Sequence, residues 1–210
     1  MKKKLTGVLI ATLVLVETSL AAPTVVFEDD FNDEPVVGFN VVPEAWILGV
    51  GAVDIIGEGT PLDFFPAQGY GLYLDLDGGV GAVLATKDAI LFQLGYTYTL
   101  TFDLAGNQQP EGPNETVAVG LLDQGPAFEK KFLPQWNQGF SEETVEIPGD
   151  GLPHQIVFYN MYSYDNKGAL LDNVVLTEEC DDPCPVPAPG AVLLGSLGAA
   201  LVGFFRRRSL

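Results

Sequence analysis

The stretch Tyr96-Thr-Tyr-Thr-Leu-Thr-Phe-Asp-Leu104 alternates large apolar and polar side chains without a break. Successive side chains of an extended chain point to opposite faces. Tyr96, Tyr98, Leu100, Phe102 and Leu104 therefore share one face, and Thr97, Thr99, Thr101 and Asp103 the other. A helical period would scatter both sets around an axis. The pattern predicts a strand with one face in a core.

Runs of the same kind lie on either side. Residues 25–31, 70–76, 80–86, Thr116–Leu122, 144–147, 155–162 and 170–177 are rich in Val, Ile, Leu, Tyr, Phe and Thr, and Gly, Pro, Asn and Asp clusters divide them. Asp77-Gly-Gly79 reads as a turn that makes 80–86 the hairpin partner of 70–76. No amphipathic helix is visible between residues 22 and 177, and no self-repeat of fixed period. Short strands at this spacing predict an all-β domain, a β-sandwich.

The two ends read as addresses. Lys2, Lys3 and Lys4 precede an apolar run and Ser19-Leu-Ala21, the three parts of a signal peptide, placed at 1–21 with the β domain at 22–177. Residues 178–185 form an acidic, Pro-rich linker. It holds Cys180 and Cys184, the only two cysteines. In an oxidising compartment a local disulfide between them is expected. Residues 191–205 are apolar and predict a short transmembrane helix. Fifteen residues span roughly 22 Å as a helix, short of a ~30 Å hydrocarbon core. Arg206, Arg207 and Arg208 follow and hold that end on the cytoplasmic side.

Charge narrows the partners. The chain carries −18 overall, but six of its ten basic residues sit at the two ends. Between them 27 acids face only Lys87, Lys130, Lys131 and Lys167, a net −23. Nucleic-acid binding needs Lys and Arg to displace counterions and is excluded. An acidic surface suits an exported protein that stays soluble, or one that collects divalent cations.

The tail supports a first resemblance. Val186-Pro187-Ala188-Pro189-Gly190, an apolar helix, then Arg206-Arg207-Arg208 resembles the PEP-CTERM sorting signal over residues 186–210. Ala188 stands where the name-giving motif has Glu. The resemblance implies signal peptidase and an exosortase-type enzyme as partners, transient anchoring in the inner membrane, and an envelope or extracellular destination. A second resemblance rests on Phe27-Glu-Asp-Asp-Phe-Asn32, on residues 96–107, and on Leu170-Leu-Asp-Asn-Val-Val-Leu176. These look like the galactose-binding-like jelly rolls of carbohydrate-binding modules. That likeness implies a structural calcium held by Glu28, Asp29, Asp30 and Asp172. It also requires the first and last strands to be neighbours. Calcium takes six to eight hard oxygens in irregular geometry, so the residue types suit it.

A search for catalysis finds little. His154 is the only histidine; following Pro153 at a strand start, it reads as an exposed turn residue. Ser141 lacks a Gly-x-Ser-x-Gly frame. No metalloprotease motif or phosphate loop occurs. No catalytic residue is assigned. Aromatic faces stack on sugar rings, which makes Trp46, Trp136 and Tyr162 the candidate ligand-binding residues, with Tyr159 and Tyr164 beside them. The loop Phe132-Leu-Pro-Gln-Trp136-Asn-Gln-Gly-Phe140 is expected to line a cleft, with Asn137, Gln138 and Asn160 as hydrogen-bonding groups. The expectation is an exported, non-enzymatic surface or matrix protein that binds extracellular polysaccharide. The alternative is a secreted glycan-active hydrolase, because spacing alone selects no carboxylate pair among 27 acids.

Overall fold

A computed structural model describes residues 22–79, 81–110, 114–122, 129–161 and 167–181. The expected signal peptide, Tyr162, Tyr164, Cys184, the sorting motif and the 191–205 helix lie outside the described residues. Those described form strands β1 (Thr24–Asp29), β2 (Trp46–Val50), β3 (Asp54–Gly57), β4 (Leu72–Asp75), β5 (Val83–Thr86) and β6 (Ile90–Phe92). They continue with β7 (Tyr96–Ala105), β8 (Thr116–Leu122), β9 (Glu129–Phe132), β10 (Ser141–Pro148), β11 (Leu152–Met161) and β12 (Leu170–Cys180). No helix occurs among the described residues.

The strands make two antiparallel sheets. One runs β10-β7-β12-β4-β3, with β1 also on β12; the other runs β2-β5-β11-β8-β9, with β6 also on β11. The sheets face each other as a β-sandwich. Leu100, Phe102 and Leu104 of β7 meet Leu74, Leu171, Leu176 and Val145 from the first sheet. Trp46, Leu84, Val119, Ile156 and Phe158 come from the second. Phe102 and Phe158 pack edge to face across the gap, ring centres 5.1 Å apart. Each such side chain contributes roughly 1.5–3 kcal/mol on full burial. The β7 alternation is observed as predicted: Tyr98, Leu100, Phe102 and Leu104 are buried, and the threonines between them are half-exposed.

The predicted hairpin over 70–86 is not formed. β4 pairs with β3 and β12, whereas β5 lies in the other sheet between β2 and β11. Residues 76–82 cross from sheet to sheet, because Leu76 and Ala82 are both apolar and both enter the core. The Ala82 N–H donates to the Leu76 carbonyl at 3.0 Å, closing the corner. Asp77-Gly-Gly79 is that corner. The sequence reading does not anticipate strands β2, β3, β6 and β9, which are three to five residues long.

A smaller apolar cluster sits on the outer face of the first sheet. Ile56, Tyr73, Ala105 and Leu170 point away from the main core and are covered by Phe65, with Leu62, Phe64 and Phe140 packed against them. The Tyr73 hydroxyl fixes this cover. It accepts the Phe64 N–H at 2.7 Å and donates to Asp63 Oδ1 at 3.1 Å. Residues 38–41 run along β3 on its free side. Gly38 exchanges two backbone bonds with Ile55, and the Val41 N–H donates to the Val53 carbonyl. An edge that would otherwise be open is thereby paired.

Candidate functional site

Two surface cavities lie at the edges of the first sheet. The smaller, of about 420 Å³, is lined by Phe39, Asn40, Asp54, Leu62, Phe64, Asp75, Gly78 and Gln109. Its floor follows from strand register. Asp54 of β3 lies directly opposite Asp75 of β4. Both share the outward face with Ile56 and Tyr73, and side chains so placed have Cβ atoms about 4.5–5.5 Å apart. Asp54 is 7% exposed, Asp75 2% and neighbouring Asp77 0%.

Backbone amides hold each carboxylate. The Asn40 N–H donates to Asp54 Oδ1 at 2.7 Å, and the Asp77 N–H to Asp75 Oδ1 at 2.9 Å. Gly168 adds a backbone bond to Asp75. Glycine is required there: a Cβ at Gly168 would overlap Asp75 Oδ1 and the Asp77 nitrogen. Burial raises the Asp54 carboxyl above the ordinary range, the Asn40 bond lowers it, and nearby Asp77 raises it again. Burial pushes Asp75 well up too, with Asp54 and Asp77 adding to the rise. Neither Asp54 nor Asp75 pairs with a basic side chain among the described residues. The walls are different in kind. Phe64 is set by the Tyr73 hydroxyl, and Phe39 is 55% exposed on the segment that pairs with β3.

The larger cavity, of about 630 Å³, is lined by Glu28, Asp29, Asp30, Asp33, Glu34, Pro35, Glu44, Ala45 and Asn173–Val175. It lies where two strands share one side of β12. Leu170 and Leu171 pair with β4, and residues from Val174 on pair with β1. Between them β12 bulges at Asp172-Asn173, with Asn173 at φ 48°. The first and last strands are thus neighbours, as the calcium expectation requires.

The expected ligands are engaged to different degrees. Asp29 Oδ1 accepts the Phe31 N–H, and its Oδ2 accepts the Trp46 indole N–H, so each oxygen already accepts one bond. Asp30 Oδ1 accepts the Asn32 N–H. Asp172 is the exception: it is 1% exposed, its Oδ1 accepts the Asn173 N–H, and its Oδ2 has no partner. Burial lifts its carboxyl to about 7, with Asp103, Asp30 and Asp29 adding to the rise. Among the described residues, no three His, Cys, Asp or Glu side chains converge closely enough to hold a metal. The junction therefore supplies an orphaned carboxylate oxygen in an acidic setting, but not a converged ligand set.

The aromatic candidates separate as well. Trp46 is 3% exposed and packs edge to face with Phe27 and Phe158; it is a core residue and offers no face to a sugar. Its run, Trp-Ile-Leu-Gly-Val, had not been read as a strand, so its inward direction was not visible. Trp136 is half-buried and lines neither cavity. Its loop lies over the end of β7, where the Gly106 N–H donates to Gln138 and the Gln108 N–H to Trp136. Phe140 from that loop packs on Phe65, Tyr70 and Tyr73. Asn160 is buried, its amide nitrogen 3.4 Å from the Leu76 carbonyl. His154, read as an exposed turn, is 1% exposed; its Nε2 lies 2.8 Å from Asp150 Oδ2 and its ring packs on Phe92. β11 begins at Leu152, before Pro153, and so carries His154 inward. Cys180 ends β12 and is disulfide-bonded.

No protein-family model matches the chain, and no curated protein matches it. Several solved structures are similar. The K3 cleaved adhesin domain of Lys-gingipain from Porphyromonas gingivalis W83 is 18% identical with a TM-score of 0.47, over 74% of this chain and 99% of that one. The CBM22-1 xylan-binding domain of Paenibacillus barcinonensis Xyn10C is 11% identical with a TM-score of 0.47, over 77% and 99%. A cyclase from Fischerella sp. TAU is 16% identical with a TM-score of 0.49, over 77% and 100%. An adhesin, a sugar-binding module and an enzyme stand side by side, and likeness at this level does not choose among their functions.

Proposed function

We propose that this chain is an exported surface or extracellular-matrix protein whose jelly-roll β-sandwich binds a glycan in the Asp54–Asp75 cavity without turning it over. One observation carries the reading: the cavity combines the exposed ring of Phe39 and the ring of Phe64 with the Asn40 and Gln109 amides and two carboxylates. Aromatic rings pair with the apolar faces of sugars, and a few convergent polar groups fix orientation. Asp75 is held by backbone N–H groups and almost wholly buried, which fixes its position in the cavity floor.

The termini belong to the same proposal. The signal peptide at 1–21 directs export, and the tail at 186–210 is read by an exosortase-type enzyme that delivers the domain to the envelope. Calcium at the β1–β12 junction is a structural ligand in this reading. Asp172 Oδ2 and the second oxygen of Asp30 would supply two of the six or more oxygens it needs, where acids crowd the bulge.

A glycan array probed with the exported protein, with and without chelator, tests the binding. Wild type is expected to bind and Phe64→Ala to lose binding; silence in both conditions sinks the proposal. The hydrolase reading is favoured by one feature, the cross-strand placement of two carboxylates, Asp54 and Asp75, in one cavity. Release of reducing ends from a bound glycan, abolished by Asp75→Asn, would establish it.

A further inference from the structure

We propose that the Asp54–Asp75 cavity takes a protonated amine carried on a hydroxyl-bearing ring, that is, an amino sugar rather than a neutral or acidic one. The inference rests on the reading of this cavity as a glycan site and names the ligand class.

The argument begins with what the floor lacks. Asp54 and Asp75 stand opposite each other on adjacent strands, an arrangement of like charges that is unfavourable by itself. Proteins pair buried charges, or else the groups take up protons. Among the described residues no Lys, Arg or His pairs with either carboxylate, and Lys167, next to Gly168, makes no ion pair with them. Asp54 lines the cavity, and its Oδ1 accepts the Asn40 N–H. An acidic glycan would meet a third negative charge. A neutral one would leave the pair to be relieved by a proton, which burial of Asp75 already favours; an ammonium group would take that proton's place.

The walls decide which cation. A divalent metal needs six or more oxygens, and Phe39, Phe64 and Leu62 supply none. Ring faces attract an ammonium group and cover the apolar face of a sugar. The amides of Asn40 and Gln109 at the rim match ring hydroxyls. One ammonium between the carboxylates, with the sugar body against the phenyl rings, uses every kind of group that the cavity presents.

The test compares three oligosaccharides of equal length at pH 6.5 and moderate salt: de-N-acetylated glucosamine, N-acetylglucosamine and glucose. Titration calorimetry on the exported protein should show binding of the first alone. Asp54→Asn should weaken it about 10- to 100-fold, the range of a hydrogen bond to a charged group. Phe39→Ala, an exposed change that leaves the core intact, should weaken it as well. Glu142→Gln, an exposed acid on β10, should leave it unchanged. An equal loss in Glu142→Gln would mean general attraction to an acidic surface and overturn the proposal. Equal binding of the glucose or N-acetyl oligomer would also overturn it, while the glycan reading stood. Calcium binding that Asp54→Asn abolishes and that displaces the amino sugar would make the cavity a metal site and overturn it too. Silence of all three oligomers would overturn the amino-sugar assignment, and the glycan reading would then stand or fall on the array.

Discussion

The indole N–H of Trp46 donates to Asp29 Oδ2 at 2.7 Å. By sequence these were residues of two different sites, a metal ligand and a sugar platform. In the fold they satisfy each other. Phe27 and Phe31 pack around the indole, and the Phe31 N–H takes the other Asp29 oxygen. The pair fastens the end of β1 to β2 of the opposite sheet.

Breaking that bond should cost stability and leave glycan binding alone. Asp29→Ala strands a buried indole donor, and a hydrogen bond to a charged group contributes about 1.5–3 kcal/mol. A double-mutant cycle with Trp46→Phe, read by urea unfolding, should return a coupling of that size. A coupling near zero would mean that the bond does not form in solution.

Asp172 should make stability fall as pH rises. Its carboxyl titrates near 7 in the fold against 3.8 for an ordinary aspartate. Between those values the folded chain holds a proton that the unfolded chain has lost. The stabilisation is complete below about pH 4 and gone above about pH 7, at most ~4 kcal/mol at 1.36 kcal/mol per unit. In chelator, Asp172→Asn should flatten the slope of unfolding free energy against pH by about one proton. Calcium should raise the wild-type melting temperature most above pH 7, and an identical response in Asp172→Asn would rule out a cation at this junction.

Asp54→Asn should gain stability at neutral pH while losing ligand. Removing one member of a buried like-charge pair is expected to add up to about 1 kcal/mol, and binding sites commonly hold such strain. Denaturant midpoints and affinities measured on one preparation give both signs. A destabilised variant would mean that the floor is already compensated.

Gly168→Ala should be among the most damaging single changes. Its Cβ would fall on Asp75 Oδ1 and on the backbone of residues 76–77, which cannot retreat without opening the corner between the sheets. A loss of about 3 kcal/mol or more, with loss of the ligand site, is expected. Gly139→Ala, where nothing lies within 4 Å, is the tolerated comparison.

Exported protein recovered from the native host should lack both ends. Intact-mass measurement is expected to show a start near Ala22 and no Arg206-Arg-Arg-Ser-Leu210. A mature form that keeps the arginines would argue for a simple anchor instead.

The strands most legible in the sequence are those long enough to show their period. β7, β8, β11 and β12 were visible because seven to eleven residues repeat apolar and polar positions several times. Trp46–Val50 and Asp54–Gly57 hold only two or three such repeats, and the pairing partner of β4 is not written in β4 at all. Local sequence around Asp77-Gly-Gly79 suggested a hairpin, because a turn looks alike whether the chain returns to the same sheet or crosses to the other.

The sequence by itself determined the acidic composition and the all-β character of the middle, because each depends on composition or period along the chain. Tertiary structure alone decided the sites. Asp54 and Asp75 are 21 positions apart in the chain and meet only because β3 pairs with β4 in one register. Asp172 becomes an orphan only because a bulge in β12 turns it from water. Trp46 looked like a binding residue until β2 was placed over the core. Site chemistry depends on distance and burial, which are properties of the packed chain.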